Sequence, residues 1–144
     1  TIGEELPPGF QRSDFVLDTV RRGIVAWSRH QSARSGGAPA QLDLAATLIG
    51  SGGTGITPGQ SAQMIARAAD EANQVLAECG WPLIAGLTFV ELYLDRASEA
   101  WRALQLLAAA SDSRWEVGDE VQRGSGALRR SLDASYRGAD YDQQ

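Results

Sequence analysis

Through most of this chain, apolar side chains return at spacings of three and four residues, and glycine and proline break the pattern into segments. That spacing lays one apolar stripe along a helix and gives a strand no consistent face. Leu17, Val20, Ile24 and Trp27 form the first such stripe. Ser13 is a good N-cap for it, and Asp14 falls in the first turn, where the helix dipole favours negative charge. On the outer face Asp18 can reach Arg21 and Arg22. The helix should fade near Arg34, before Ser35-Gly36-Gly37-Ala38-Pro39.

Further segments follow the same logic. A short helix is expected over Gln41–Ile49, then a glycine-rich loop over Gly50–Gly55. Thr57, Pro58 and Gln60 have the order of a capping box with proline in the first helical position. Ile65, Ala68, Ala69, Ala72, Val75 and Leu76 make that helix's core stripe, Cys79 is expected to be a buried small hydrophobe, and Gly80 is a natural stop. Val90, Leu94, Ala97, Trp101, Leu104 and Ala108 predict a long, central helix over Thr88–Ala110. Ser113 with Glu116 offers a second capping box for a last helix over Arg114–Tyr136, weakened by Gly118, Gly124 and Gly126. Leu87–Tyr93 is β-rich but merges into the helical pattern. The expected fold is therefore all-α: a single bundle of four to five helices over residues 13–136, an extended N-terminal arm over 1–12 and a polar tail over 137–144.

Composition narrows the chemistry. All 13 cations of this 144-residue chain are arginine, a bias that a GC-rich genome produces. Without lysine there is neither a Schiff-base nucleophile nor a phosphate-loop lysine. Gly50 to Thr57 has the glycine spacing and hydroxyl of a phosphate loop, but Ile56 stands where the lysine would be and Pro58 removes an N–H. One histidine, His30, and one cysteine, Cys79, leave no multi-histidine metal site and no intrachain disulfide. His30, late in the first helix, suits a surface position near the helix C-terminus. Glu91, Asp95 and Glu99 recur at i+4 and would share one helix face, without the Glu-x-x-His that di-metal bundles use. The net charge of −5 opposes broad binding to nucleic acid, although Arg12, Arg21, Arg22, Arg29 and Arg34 cluster near the first helix. No apolar run is long enough for a membrane helix, and the acidic Thr1–Phe10, with Pro7-Pro8, does not resemble a signal peptide.

The C-terminal stretch ends a helical pattern with Tyr136-Arg137-Gly138-Ala139-Asp140. This resembles the Tyr-x-x-x-Asp/Glu signal of small actinobacterial type VII (ESX) secretion substrates. Their second mark is Trp-x-Gly in a hairpin turn. Here Trp115-Glu116-Val117-Gly118 is one residue too long and stands at an expected helix start. The resemblance covers about 25 residues and implies a secreted helical hairpin.

These features favour a non-catalytic interaction or assembly subunit, bacterial or virion-borne, that docks protein partners or copies of itself. Candidate partner contacts are Phe10 in the arm, Arg21 and Arg22 on the first helix, Trp115, and Tyr136 with Asp140 near the tail. No catalytic, cofactor-binding or metal-ligating residue is assigned. A cytoplasmic or virion-associated location is expected, or export without a signal peptide. The alternative is a small-ligand binder or enzyme with an arginine and carboxylate pocket between helices; a third reading is nucleic-acid binding through the arginine-rich first helix.

Overall fold

The structure, a computed structural model, describes residues 12–34, 36, 41–52, 55–110 and 112–125, with the backbone alone at Arg12 and Ser13. Residues 1–11 of the expected arm and the polar tail over 137–144, with Phe10, Tyr136 and Asp140, lie outside the described residues, whereas Arg12, expected in the arm, and Ser13, expected as the N-cap, are helical. The described chain forms helix α1 (Arg12–Arg34), strand β1 (Leu42–Ala46), helix α2 (Pro58–Cys79), strand β2 (Ile84–Phe89) and helix α3 (Leu94–Ala108). The fold is therefore not an all-α bundle of four to five helices: among the described residues, three helices accompany a two-stranded sheet.

The sheet is parallel. Leu42 donates its N–H to the Leu83 carbonyl at 2.8 Å at one end, and Val90 donates to the Ala46 carbonyl at 2.8 Å at the other. Parallel strands need a long crossover, and α2 supplies it. The short helix expected over Gln41–Ile49 is corrected to β1. Leu42, Leu44 and Ala46 are half-buried while Asp43 and Ala45 are exposed, which is the alternation of a strand. The long helix expected from Thr88 is corrected likewise. Ile84–Phe89 pairs as a strand, and Tyr93, still extended at φ −106° and ψ 125°, is the N-cap of α3. Val90 and Leu92 precede that helix and are exposed. Nor is α3 central, for Ala100 is its one buried residue and Leu106 is 74% exposed.

Helix α2 starts and stops where its local sequence specifies. The Thr57 N–H donates to Gln60 Oε1 at 2.9 Å, and the Gln60 N–H donates to Thr57 Oγ1 at 3.1 Å, completing the capping box. At the other end Gly80 takes φ +69°, a left-handed conformation that costs glycine little. The Trp81 N–H then reaches the Leu76 carbonyl at 3.0 Å and the Gly80 N–H the Ala77 carbonyl at 3.3 Å, a Schellman closure. Ile65, Ala68, Ala69, Ala72 and Leu76 are wholly buried, as the stripe predicts, whereas Val75 is 39% exposed. Cys79 is exposed rather than buried, because it ends the last turn on the outer side.

The contacts of the chain separate into two units. The first takes in α1, β1 as far as Leu44, and Met64–Thr88; the second takes in Ala45–Gln63 and the described residues from Phe89 onward. In the first unit the buried Ser28 hydroxyl donates to the Pro82 carbonyl at 2.6 Å, tying α1 to the turn before β2. Asn73 on α2 holds β2 twice. Its Oδ1 accepts the Ile84 N–H at 2.8 Å, and its Nδ2 donates to the Ile84 carbonyl at 3.0 Å.

In the second unit Leu48, Ala62 and Ala100 form a buried cluster, against which Phe89 and Leu104 pack. The glycine-rich loop is held at its start. Arg96 donates to the Ser51 carbonyl at 3.1 Å and to the Ser51 hydroxyl, while Ser61 donates to the Ile49 carbonyl at 2.7 Å. The helix expected from Arg114 does not form over residues 114–125; residues 126–136 lie outside the described residues. Gly118 and Gly124 each cost a helix about 1 kcal/mol relative to alanine. The segment is instead fixed from α3, where Trp101 Nε1 donates to the Gly118 carbonyl at 2.8 Å. Ser113 Oγ accepts the Trp115 N–H at 3.3 Å without starting a helix. No described helix is long and apolar enough to cross a membrane.

Candidate functional site

On one face of α1 the residue pairs 21/22, 25/26 and 29/30, followed by residue 33, return every four positions, so they rise along a single side of the helix over three turns. From Arg21 to Ala33 that is about 18 Å of helix at 1.5 Å per residue. Val75 of α2 and Trp81 of the following turn close the other side, and the result is an open groove of about 610 Å³ within the first unit. Its floor is aliphatic and small: Val25, Ala26, Ala33 and Val75. Its cationic lining is Arg21, Arg22 and Arg29 with His30 beside them, and among the described residues no carboxylate lines it.

The three arginines differ in how far they are already satisfied. Arg21 is held at 2.6 Å by Asp18, one turn back, and at 3.7 Å by Glu71 from α2. This braces α1 against α2. Arg22 meets the other oxygen of Asp18 at 3.0 Å, with its side chain 77% exposed. Exposed pairs of this kind hold by only about 0.2–1 kcal/mol, so Arg22 can exchange Asp18 for another acid at little cost. Arg29 has no ion pair with a carboxylate among the described residues. Its guanidinium lies 5.9 Å from the Trp81 ring centroid, inside the range of a cation–π contact. Arg29 is exposed, so its guanidinium N–H groups are accessible to a carboxylate, which can take two of them.

The structure brings Arg21 and Arg22 into one groove and leaves Trp115 elsewhere, in the second unit, half-buried and with its Nε1 buried without a hydrogen-bond partner. Arg29, His30 and Trp81 belong to the groove, although the sequence pattern alone places His30 simply at a helix end. The signal for Arg29 was present in its seven-residue spacing from Arg22; for Trp81 there was none, since its position depends on the turn at Gly80. The expected face of Glu91, Asp95 and Glu99 does not form. Glu91 precedes α3, accepts the Tyr93 N–H at 3.2 Å and pairs with Arg96 at 3.4 Å. Among the described residues no three histidine, cysteine, aspartate or glutamate side chains gather as metal ligands.

No protein family matches the sequence, no curated protein is significantly similar to it, and no solved structure is significantly similar in fold. The groove's own chemistry is therefore what a functional reading rests on.

Proposed function

We propose that this chain is a non-catalytic protein-interaction module that docks a segment of a partner protein along the face of α1. One observation carries the reading: the groove follows a single helix face for three turns, with an aliphatic floor and cations beside it. A linear, open, small-residue floor suits a linear ligand, and helix-in-groove docking uses anchors at such spacings.

Selection from a displayed library of random 16-residue peptides tests this. The wild-type chain should enrich a peptide family that a Trp81→Ala, Val75→Ser variant does not retain. A selection that enriches nothing, together with a saturable thermal shift by a small metabolite, overturns the reading in favour of a small-ligand site. The groove's volume falls in the range of small-molecule pockets, which makes that the competing outcome.

A further inference from the structure

We infer that the segment taken by this groove is an acidic amphipathic helix, with two carboxylates two turns apart and aliphatic side chains between them. The inference rests on the interaction reading above and adds the chemistry of the partner.

Charge is the first ground. The chain carries −5 overall, yet among the described residues the groove is lined by arginines and no acid. A partner that is itself acidic is repelled by the rest of the surface and attracted here, so the groove sets the docking position. Arg21 is committed to Asp18 and Glu71. Arg22 and Arg29 remain as the two recognition cations, one loosely paired and one 5.9 Å from the Trp81 ring centroid.

Spacing is the second ground. Arg22 and Arg29 stand seven residues apart on α1, about 10.5 Å along its axis. A partner helix lying along α1 presents carboxylates at i and i+7 with the same rise, and its residues at i+3 and i+4 fall between them on the same side. Those positions lie over Val25 and Ala26. An extended strand fits less well, because side chains about 10 Å apart on it, three residues along, point to opposite faces. The alanines at 26 and 33 leave room for the close approach of a second helix axis, at roughly 8–10 Å.

A nucleic-acid backbone is the weaker fit to the same cations. The net charge of −5 repels an extended polyanion, whose charge runs on beyond the groove, and among the described residues of the lining Trp81 is the single large aromatic side chain on which bases could stack.

Three labelled 18-residue helical peptides test the proposal by fluorescence anisotropy against the full chain. The first carries glutamate at i and i+7 with leucine at i+3 and i+4. The second has glutamine for both glutamates, and the third has arginine for the i+7 glutamate. The wild-type chain should bind the first at least tenfold more tightly than the second, and raising the salt from 50 to 200 mM should narrow that gap. Arg29→Glu should abolish the preference and bind the third peptide better than the first. Equal binding of the glutamate and glutamine peptides overturns the acidic specificity while leaving the interaction reading standing. Failure of all three peptides, with a library selection that still enriches other sequences, overturns the helix assignment alone. Tighter binding of a 16-nucleotide single-stranded DNA than of any peptide overturns the choice of partner class.

Discussion

Two glycines show how one added methyl group means different things at different places. A Cβ on Gly59, in the first turn of α2, would come within 2.9 Å of the Ala103 Cβ on α3. Neither atom can swing away, so Gly59→Ala should destabilise the chain by about 1 kcal/mol, the overpacking penalty of 1–3 kcal/mol outweighing the gain in helix propensity. Adding Ala103→Gly should return the melting temperature close to that of the unaltered chain. A Cβ on Gly86 instead meets the carboxylate end of the exposed Asp43 side chain, which can rotate into water. Gly86→Ala should therefore leave the melting temperature nearly unchanged. Ser28 is the polar counterpart. It is wholly buried, and its hydroxyl satisfies the Pro82 carbonyl. Ser28→Ala should cost about 1–2 kcal/mol in a denaturant titration, because the carbonyl is left buried and unpaired.

At the scale of elements, the decisive join is between α2 and β2. A strand in a two-stranded sheet has few neighbours and is marginal alone. The Asn73 carboxamide satisfies both backbone groups of Ile84, so it fixes where the strand begins as well as holding it. Asn73→Ala should destabilise the chain by about 2 kcal/mol, two net hydrogen bonds. Amide hydrogen exchange at Ile84 should accelerate more than exchange at Ala69 in the middle of α2. Uniform acceleration at both sites would mean that the strand has no separate opening and that Asn73 acts only on global stability. The opposite ends of α2 need no such help, since Thr57, Gln60 and Gly80 close their own turns.

For the whole molecule, the groove is separable from the forces that hold the fold. Its recognition cations, Arg22 and Arg29, are exposed, and the ion pair of Arg22 is a solvent-facing one. Arg22→Glu with Arg29→Glu should therefore change the thermal midpoint by no more than about 1 kcal/mol of stability allows, even as peptide binding is lost. A loss of folding in this variant would show that the arginines brace α1 and would recast the groove as structural. Arg21 should behave differently from its neighbours, because it bridges Asp18 and Glu71 and thus joins two helices.

What the sequence determined by itself is what short-range interactions determine. The end of α1 at Arg34, its Asp18 pairs with Arg21 and Arg22, the capping box at Thr57 and the stop at Gly80 all depend on partners within five residues. Each is readable because both partners lie in one window of the chain. The tertiary structure decided everything whose partner is distant. Leu42–Ala46 and Ile84–Phe89 are five and six residues long, and they are strands because they pair with each other across some forty residues. Before pairing, Val90 and Leu94 continue a helical spacing as well as any true stripe does. Residues 114–125 are not helical, and their hydrogen-bond partner Trp101 lies 17 residues from the Gly118 that it holds. The groove followed the same rule. One wall was legible in the four-residue repeat of α1; the other exists only because the chain returns, through Val75 and Trp81, to cover half of that face and leave the rest open.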